Sequence, residues 1–382
     1  MRIVYLHHAN VCRGGIERML ISRANLLAEQ DGYEVTLLTY EQNGEPYPYD
    51  LSPKVKCVDM GIRLYTVYKY SLPIRFFLKR LFQHKLSVAI RQFLDDYHPD
   101  IVTCTDKAAN ELNALSSVRR LEKIVIEAHT GMVDHLMQVK RSNNLLKRTL
   151  VKIDIHRLRL AVSKFDVLVA LTPDDSKCWD KYIKTVVIPN YLSYCPTCNA
   201  DLSYEKKRVI AVGRLDYQKG FDLLLQAWSV IEASYPDWKL DIFGDGEEKN
   251  SLSHLMTTLN LHNVTFHPST PYIYKEFLQS DFLVCSSRWE AFGLVIIEAM
   301  SSGIPVISFD CDNGPRNIII DGVDGVLVKD GDVGDLALKI KLMIENCIVR
   351  EKMGNNALMN VSRFKEEIIF NEYIQLYKQL TK

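Results

Sequence analysis

SSRWEAFGLVIIEAMSSGIPVIS, residues 286–308, is the stretch of this sequence that decides the fold. A short apolar run at 282–285 precedes it, and an apolar helix in its middle leads to another apolar run at 306–309. Short runs rich in valine and isoleucine that alternate with helical segments are typical of parallel sheets covered on both faces. The stretch therefore predicts a strand–helix–strand unit with a loop at the carboxyl end of its first strand.

The same alternation extends along the chain in two series. The first series predicts strands at 3–7, 34–39, 101–105, 124–128 and 167–171, and the second at 209–212, 240–243, 264–267, 282–285, 306–309 and 326–328. We predict an α/β protein with two doubly wound, Rossmann-like domains that face each other across a cleft. The predicted boundaries are 1–190 for the first domain, 191–206 for a hinge, 207–364 for the second domain and 365–382 for a C-terminal helix that can cross back to the first domain.

The composition of this 382-residue chain fits two globular domains, with 47% hydrophobic and 25% charged residues. No apolar run approaches the roughly 20 residues that span a bilayer. The nine cysteines are an odd count and lie mostly inside apolar runs, which favours a reducing, cytoplasmic location. Cys195 and Cys198 form a lone CPTC without a second pair at metal-ligand spacing, so we expect no metal there.

Two acidic residues in the opening stretch are the strongest candidates for a ligand site. Glu290 lies in the loop after the predicted strand, and Glu298 lies between apolar neighbours on the following helix. A buried carboxylate there requires hydrogen-bond partners, which ribose hydroxyls could supply. Between them, Phe292, Gly293 and Leu294 present backbone N–H groups at the start of the helix, an arrangement suited to phosphate.

Two further loops carry residue types that bind phosphate. Arg214 and Lys219 follow the first strand of the second domain, where two cations can neutralise a diphosphate without a metal. Gly14 and Gly15 follow the first strand of the chain, where the backbone turns into a helix and can approach a ligand closely. Each loop, taken alone, is also compatible with an ordinary turn.

The sequence resembles the large retaining family called glycosyltransferase family four. The resemblance rests on the Glu-x7-Glu spacing of Glu290 and Glu298, and on GGIER, GRLDYQKGFDLL, IFGDGEE and DGVDGVLV in the family's order. It implies the GT-B fold, in which the first domain binds the acceptor and the second binds a nucleotide sugar. One position departs from the family pattern, since Asn317 stands where an acid is usual, and we leave Asn317 out of the site.

The resemblance also implies roles for the candidate residues. Glu290 and His129, from the segment IEAHTG, are the implied catalytic residues near the donor sugar, and Glu298 is the implied ligand of the ribose. The implied contacts to the sugar and diphosphate are the backbone of Phe292, Gly293 and Leu294, the cations Arg214 and Lys219, and Gly14 and Gly15 from the opposite domain. A histidine at a strand end is, without the resemblance, more often structural.

These features and the resemblance together predict a hexosyltransferase that uses a nucleoside diphosphate sugar, with a UDP-sugar favoured. Retention of configuration is implied by the resemblance alone. The resemblance implies a glycan acceptor, lipid-linked, in polysaccharide, O-antigen or capsule assembly. No convincing DxD motif appears, so we expect neither a metal nor another cofactor. A nucleotide-sugar epimerase would instead isomerise free donor without acceptor, and a non-catalytic nucleotide-sugar or lipid-binding protein would neither hydrolyse nor transfer. A phosphorylase needs a longer chain, and a NAD dehydrogenase needs GxGxxG.

The charge is spread unevenly between the two halves of this neutral chain. Residues 1–190 contain 28 Lys and Arg against 21 Asp and Glu, although the whole chain has 47 of each. Basic and apolar residues are interleaved over 63–91 and 140–164, which favours an anionic membrane surface and predicts contact through Arg75, Lys79, Arg80 and Lys85. The alternative is that the apolar residues face the core. We expect no nucleic-acid partner, since no recognised binding motif accompanies the charge.

Overall fold

The structure is a computed structural model that describes the chain except residues 13, 64, 65, 67, 68, 107, 108, 119–121, 142–144, 194, 195, 197, 198 and 202–204. Contacts within the chain divide it into two units. The first unit comprises Met1–Pro189 together with Ile369–Lys382, and the second comprises Asn190–Ile368.

The first unit is built on a parallel sheet with the order β3-β2-β1-β4-β5-β6-β7. Its strands are β1 (Arg2–Leu6), β2 (Glu34–Thr39), β3 (Lys56–Asp59), β4 (Ile101–Thr105), β5 (Lys123–Ala128), β6 (Val167–Ala170) and β7 (Thr185–Val187). Its helices are α1 (Gly15–Ala28), α2 (Leu72–Tyr97), α3 (Ala109–Val118), α4 (Gly131–Arg141), α5 (Leu145–Val162), α6 (Pro173–Trp179) and most of α13 (Glu366–Leu380). The central strands are buried on both faces because helices cover them, which explains their continuous apolar runs.

The second unit repeats this architecture with the order β10-β9-β8-β11-β12-β13, again all parallel. Its strands are β8 (Arg208–Val212), β9 (Lys239–Phe243), β10 (Val264–His267), β11 (Phe282–Cys285), β12 (Val306–Phe309) and β13 (Gly325–Val328). Its helices are α7 (Phe221–Ser234), α8 (Lys249–Thr258), α9 (Ile273–Leu278), α10 (Leu294–Ser301), α11 (Val333–Glu345) and α12 (Cys347–Asn360). Trp228 of α7 and Ile340 of α11 belong to one buried core with Ile242 of the sheet.

The strand order of the second unit fixes where a ligand can bind. β8 and β11 are neighbours at the centre of the sheet, and the chain leaves them in opposite directions, toward β9 and toward β12. This reversal is the topological switch point of a doubly wound sheet, where the loops at the carboxyl ends diverge and leave a crevice. Loops 213–220 and 286–293 follow these two strands.

Every strand predicted from the sequence is present, and the doubly wound α/β fold is confirmed. Two strands were missed. β3 is exposed along its whole length, and β7 is only three residues long, so neither shows an apolar run. Both lie at the edges of the first sheet, where a strand is paired on one side only. Backbone pairing with β2 and β6 defines them instead of burial.

The segment predicted as a hinge, 191–206, makes contacts inside the second unit where the structure describes it. Leu192 pairs with Lys365, Ala200 donates its N–H to Ser302, and the Lys206 N–H donates to Asp281. Cys195 and Cys198 lie outside the described residues. In the described part of the chain, no helix combines the length and hydropathy that crossing a bilayer requires.

Candidate functional site

Glu290 is buried at the centre of the loop that follows β11. Its Oε1 accepts a hydrogen bond from Lys219 Nζ at 2.5 Å and another from Ser287 Oγ at 2.7 Å. Burial alone would lower the pKa of Lys219, but Glu290 outweighs it and holds this pKa above its ordinary value. The structure therefore brings two predicted site residues, one from each loop of the switch point, into a charged pair.

The loop turns into α10 at Gly293, which has a φ of 102°. This left-handed backbone favours glycine, since a Cβ is strained there. Phe292 is buried with its ring 5.5 Å from that of Phe364, so its backbone is the part available to a ligand. Leu294 is the first residue of α10, and its side chain is half-buried. The predicted backbone cradle thus coincides with the start of a helix.

The two predicted cations differ in their surroundings. Lys219 ends a 3-10 turn that Asp216 caps, and the side chain of Lys219 is largely buried. Arg214 is 69% exposed, and its guanidinium lies 3.1 Å from Asp216 and 3.2 Å from Gln218 Oε1. Water screens the charge of an exposed cation more strongly than that of a buried one. Lys219 and Arg214 therefore cannot contribute equally to binding an anion.

Side chains that the sequence did not single out join the loops after β8 and β11. Arg288 binds Asp222 through two hydrogen bonds of 2.9 and 2.6 Å and lies 4.0 Å above the ring of Tyr217. Gln218 Nε2 donates to the carbonyl of Trp289 at 3.0 Å. Gly220 packs so closely that an added Cβ would collide with the carbonyl of Ser286. These contacts fix the position of Lys219 relative to the β11 loop.

Glu298 is only partly buried on α10, so the expectation of a buried carboxylate was wrong. The flanking residues Ile297 and Ala299 do face the core, but a helix places consecutive side chains 100° apart. The backbone carbonyl of Glu298 accepts hydrogen bonds from the hydroxyls of Ser301 and Ser302. Water can solvate part of this carboxylate, and burial therefore gives no argument for a ribose at this position.

His129, at the end of β5 in the first unit, belongs to a buried hydrogen-bond network. Its Nε2 lies 2.7 Å from Glu127 Oε2, and the other oxygen of Glu127 accepts from Arg23 of α1. Burial alone would raise the pKa of Glu127, but Arg23 and His129 outweigh it and hold the pKa below its ordinary value. The ionised carboxylate of Glu127 is thus the acceptor, and the His129 Nε2–H is the donor.

Aromatic residues of α13 complete this network. The guanidinium of Arg23 lies 3.8 Å above the ring of Tyr373, and the hydroxyls of Tyr5 and Tyr377 are 3.2 Å apart. A cation over an aromatic face gains electrostatic energy, especially when both are desolvated. The C-terminal helix therefore holds Arg23, and through Arg23 it holds the carboxylate that orients His129.

His7, at the carboxyl end of β1, was also missed. It is buried, and neither ring nitrogen has a hydrogen-bond partner among the residues that the structure describes. Burial, with His8 and His129 nearby, lowers the pKa of His7 to about 3. A neutral, unpartnered imidazole at a strand end can donate or accept one hydrogen bond to a ligand. Only its place in the motif HHANVCRGG could have indicated it.

Gly14 and Gly15 occupy the amino end of α1, as expected. Gly14 is the residue before the helix, and its φ of −104° is open to any residue. Its carbonyl accepts from Arg18 N and from the Tyr49 hydroxyl. Conformation therefore does not require glycine at position 14, and the close approach of a ligand remains the reason we propose for it.

The four predicted membrane-surface residues lie on α2 and are not equivalent. Lys79, Arg80 and Lys85 are exposed, but Arg75 is half-buried and donates to the carbonyl of Tyr70 at 3.1 Å. The apolar residues of α2 are divided between two faces. Phe82, Leu86, Ile90 and Leu94 pack in the core, whereas Ile74, Phe77, Leu81 and Val88 are exposed. The alternative that the apolar residues of α2 face the core is thus correct for one face of the helix, but it does not explain the exposed apolar face.

Two family models match the chain. The model described as glycosyl transferases group 1 matches residues 200–359, and that described as glycosyltransferase family 4 matches residues 13–192. An uncharacterised glycosyltransferase of Haemophilus influenzae is 29% identical over 366 residues, which are 94% of this chain and 95% of the relative.

A second relative has a more specific name. It is an alpha-1,4-N-acetyl-D-galactosaminyltransferase of Campylobacter jejuni, named for a GalNAc-GalNAc-diNAcBac-PP-undecaprenol substrate, and it is 25% identical over 97% of both chains. Among solved structures, sucrose-phosphate synthase from Thermosynechococcus elongatus superposes with a TM-score of 0.80. It is 20% identical and covers 99% of this chain and 98% of its own, a likeness that shows the shared fold.

Proposed function

Because the chain belongs to the group 1 glycosyltransferases of the GT-B fold, we propose that it is a retaining hexosyltransferase. The donor is a nucleoside diphosphate sugar carrying a hexose or an N-acetylhexosamine, with UDP favoured as the nucleotide. The acceptor is a growing glycan in polysaccharide, O-antigen or capsule assembly. The name of the Campylobacter jejuni relative, which specifies a glycan on undecaprenyl diphosphate, supports a lipid-linked acceptor.

The observation that carries the proposal is the pair formed by Lys219 and Glu290 at the switch point of the second sheet. It places a cation suited to diphosphate beside a carboxylate suited to sugar hydroxyls, at the start of α10. In a free enzyme these groups neutralise each other. A bound donor offers each a better-matched partner, with the diphosphate for Lys219 and the hydroxyls for Glu290.

The proposed reaction breaks the bond between the anomeric carbon and the oxygen of the β-phosphate. The bonding electrons stay on that oxygen, so negative charge develops on the diphosphate. Lys219, Arg214 and the amino end of α10 stabilise this charge, which is catalysis by positioning and electrostatics. The acceptor hydroxyl attacks from the same face, and its proton passes to the departing phosphate oxygen. No step requires a metal. We propose Glu290 and His129 as the two catalytic residues.

We place the enzyme at the cytoplasmic face of the plasma membrane as a peripheral protein. Support comes from the exposed cations Lys79, Arg80 and Lys85 on α2, beside exposed apolar side chains of the same helix. Each cation near an anionic surface contributes about 1 kcal/mol to binding. A lipid-linked acceptor is presented at such a surface, so the location and the acceptor support each other.

Thermal unfolding with a panel of UDP-, GDP- and ADP-sugars tests the proposed donor class. A donor at about 100 times its dissociation constant stabilises the folded state by about 2.7 kcal/mol. We expect one nucleotide to stabilise the protein and its sugar to be transferred when acceptor glycans are added. Stabilisation without transfer or hydrolysis would indicate a binding protein, and isomerised sugar without acceptor would indicate an epimerase. If no nucleotide sugar stabilises the protein, the proposal is wrong.

A further inference from the structure

A groove of about 440 Å³ lies on the first unit between α2 and α3. The side chains of Arg80, His84 and Arg91 line it from α2, and Asn113 and Ser117 line it from α3. None of these residues belongs to the switch-point loops of the second unit or to the network around His129. The groove is thus a separate feature that the proposed sugar transfer does not use.

The walls of this groove are fixed by packing and by hydrogen bonds between the two helices. Gln83 Nε2 donates to the carbonyl of Asn110 at 2.9 Å. The Ser117 hydroxyl donates to the carbonyl of Ala114 at 2.7 Å and lies 3.3 Å from Ser87 Oγ. Beneath them, Leu86 of α2 is fully buried in the core of the unit. A site whose walls are already held in place loses little conformational entropy when it binds a ligand.

The charge that lines the groove has one sign. Among the residues that the structure describes, no Asp or Glu lines the groove, and none forms an ion pair with Arg80 or Arg91. Arg91 lies three turns beyond Arg80 on the same side of α2, and His84 lies between them. Arginine binds phosphate oxygens bidentately, and an amide group such as that of Asn113 adds a donor. Because three turns separate the two arginines by about 16 Å along the helix, the lining is suited to separate phosphate groups along the groove.

An apolar ridge runs beside these cations along the same helix. Ile74, Phe77, Leu81 and Val88 are exposed, Phe77 by 68%, and Val88 also lines the groove. Helix geometry places these positions on one stripe, opposite the stripe that Phe82, Leu86 and Ile90 bury. Exposed phenylalanine and leucine beside arginine are typical of helices that lie in a membrane interface, with apolar groups among acyl chains and cations at headgroups.

We propose that the groove between α2 and α3 binds the phosphates of anionic phospholipid headgroups, with the apolar ridge inserted beside it. The ridge favours a lipid as the source of the phosphate, since a soluble phosphate ester leaves Phe77 and Leu81 in water. The inference deepens the membrane-surface part of the proposed function and rests on it, but it does not depend on the donor or on sugar transfer.

Vesicle flotation tests the site without any activity measurement. The intact protein is mixed with vesicles of phosphatidylcholine alone, or of phosphatidylcholine with an equal amount of phosphatidylglycerol. We expect binding to the anionic vesicles only, weakened about 30-fold by Arg80→Ser with Arg91→Ser, because each cation contributes about a fivefold factor. The matched control is Lys329→Ser with Lys352→Ser, which removes two exposed cations of the second unit and should leave binding unchanged.

A second double variant and a soluble competitor distinguish the lipid from a free phosphate. Phe77→Ser with Leu81→Ser keeps every cation and should still weaken binding to the anionic vesicles, whereas soluble glycerol phosphate should bind weakly and compete poorly. If glycerol phosphate binds as tightly as the vesicles and the apolar variant binds normally, a soluble phosphate is the ligand and the lipid proposal is wrong.

The remaining outcomes are equally decisive. Equal weakening in the arginine variant and in the lysine control, or no vesicle binding by the unaltered protein, would overturn the proposal. The altered residues are exposed, so the melting temperature should not change. If the double arginine variant unfolds at a lower temperature, Arg91→Ser alone replaces it, with an expected loss of about fivefold.

Discussion

Each unit contains a buried cation–carboxylate pair, and the two pairs differ in how far they are closed off from solvent. In the first unit, Arg23 and Glu127 are exposed by 1% and 0%. In the second unit, Lys219 and Glu290 are exposed by 16% and 7%. Both carboxylates bind a second donor, since Glu127 also binds His129 and Glu290 also binds Ser287.

This difference in exposure distinguishes a structural ion pair, Arg23 with Glu127, from a pair whose members can bind a ligand instead of each other, Lys219 with Glu290. An aromatic ring covers Arg23, and Glu127 uses both oxygens on protein groups, so neither has room for a ligand. Lys219 and Glu290 instead lie in loops at the carboxyl ends of two central strands, and part of each side chain meets solvent. We infer that the first pair positions His129 and the second pair binds substrate.

Glu290→Ala should produce the largest effect on transfer, and it should also lower stability, because it leaves the largely buried Lys219 without its carboxylate. Without this carboxylate the donor sugar is no longer held, and we expect kcat/KM to fall about 10²- to 10³-fold, by analogy with the loss of one electrostatic contact in an active site. Glu351→Ala removes an exposed glutamate of the same unit and is the control. A near-normal kcat/KM in Glu290→Ala would remove Glu290 from the site.

Glu127→Ala should act mainly on stability. It leaves the guanidinium of Arg23 buried without its carboxylate, and breaking a buried pair in this way costs about 3–5 kcal/mol of unfolding free energy. Urea unfolding measures the loss.

The double variant Arg23→Met with Glu127→Leu sharpens the same contrast, because apolar replacement of a buried pair is often neutral. We expect it to recover most of the stability but not the activity, since His129 loses its hydrogen-bond acceptor. Full activity in this double variant would show that the pair does not position His129.

Lys219→Ala and Arg214→Ala should differ, although the sequence suggested equal roles. We expect about 2–4 kcal/mol of lost transition-state stabilisation for the buried Lys219 and about 1 kcal/mol for the exposed Arg214. The double variant should lose less than the sum, because both act on one diphosphate. Raising the salt concentration should shrink only the Arg214 effect.

Measurements of kcat/KM after EDTA treatment should match those without it, and a loss restored by manganese would contradict the metal-free mechanism.

Glu111 is a third buried carboxyl, and its environment shifts its pKa in the direction opposite to that of Glu127. Burial in the first turn of α3 raises the pKa of Glu111 to about 7, from an ordinary 4.5, despite a hydrogen bond with Tyr40. The folded state therefore keeps a proton that the unfolded state releases, and stability falls as the pH rises from about 4.5 to 7. Glu111→Gln should remove this slope, about 1.4 kcal/mol per pH unit within that window.

Urea unfolding at several pH values checks the Glu111 prediction. Asp175 also has a pKa raised to about 7 by burial, so the Glu111→Gln variant should keep part of the original slope. The pKa of Glu127 is lowered instead, so its contribution is present at neutral pH and is lost only in acid. If Glu111→Gln and the unaltered protein show the same slope between pH 4.5 and 7, Glu111 is already ionised in the folded state.

The sequence predicted the buried sheet strands and both members of one pair, though not their contact, for physical reasons. Buried strands need apolar runs, and Lys219 and Glu290 follow two such runs whose carboxyl ends adjoin in a parallel sheet. Arg23 and Glu127 escaped prediction because they are 104 residues apart, and each stands singly in an apolar element where its partner is not visible. The bracing by Arg288 was missed for a similar reason, since its acceptor Asp222 lies on another helix.

Glu298→Ala should have the smallest effect and tests whether exposure predicts the role of a carboxylate. Glu298 lies on α10 in the same unit as Glu290 but is partly exposed. A ribose hydroxyl bound there exchanges a water hydrogen bond for a protein one, so the net gain is modest, about 1.5 kcal/mol for a charged acceptor. We expect KM for the donor to rise about tenfold with kcat little changed, because the ribose is remote from the breaking bond.

The fold of the Glu298→Ala variant should be intact, since alanine favours helices and the serine hydroxyls bind the backbone of residue 298, not its side chain. The KM of Glu298→Gln for the donor should lie between those of the unaltered protein and Glu298→Ala, because an amide oxygen still accepts a hydrogen bond without the charge. A fall in kcat at unchanged KM would place Glu298 beside the reacting sugar. The distinction between a carboxylate that binds and one that acts in the chemical step would then not follow from burial in this unit.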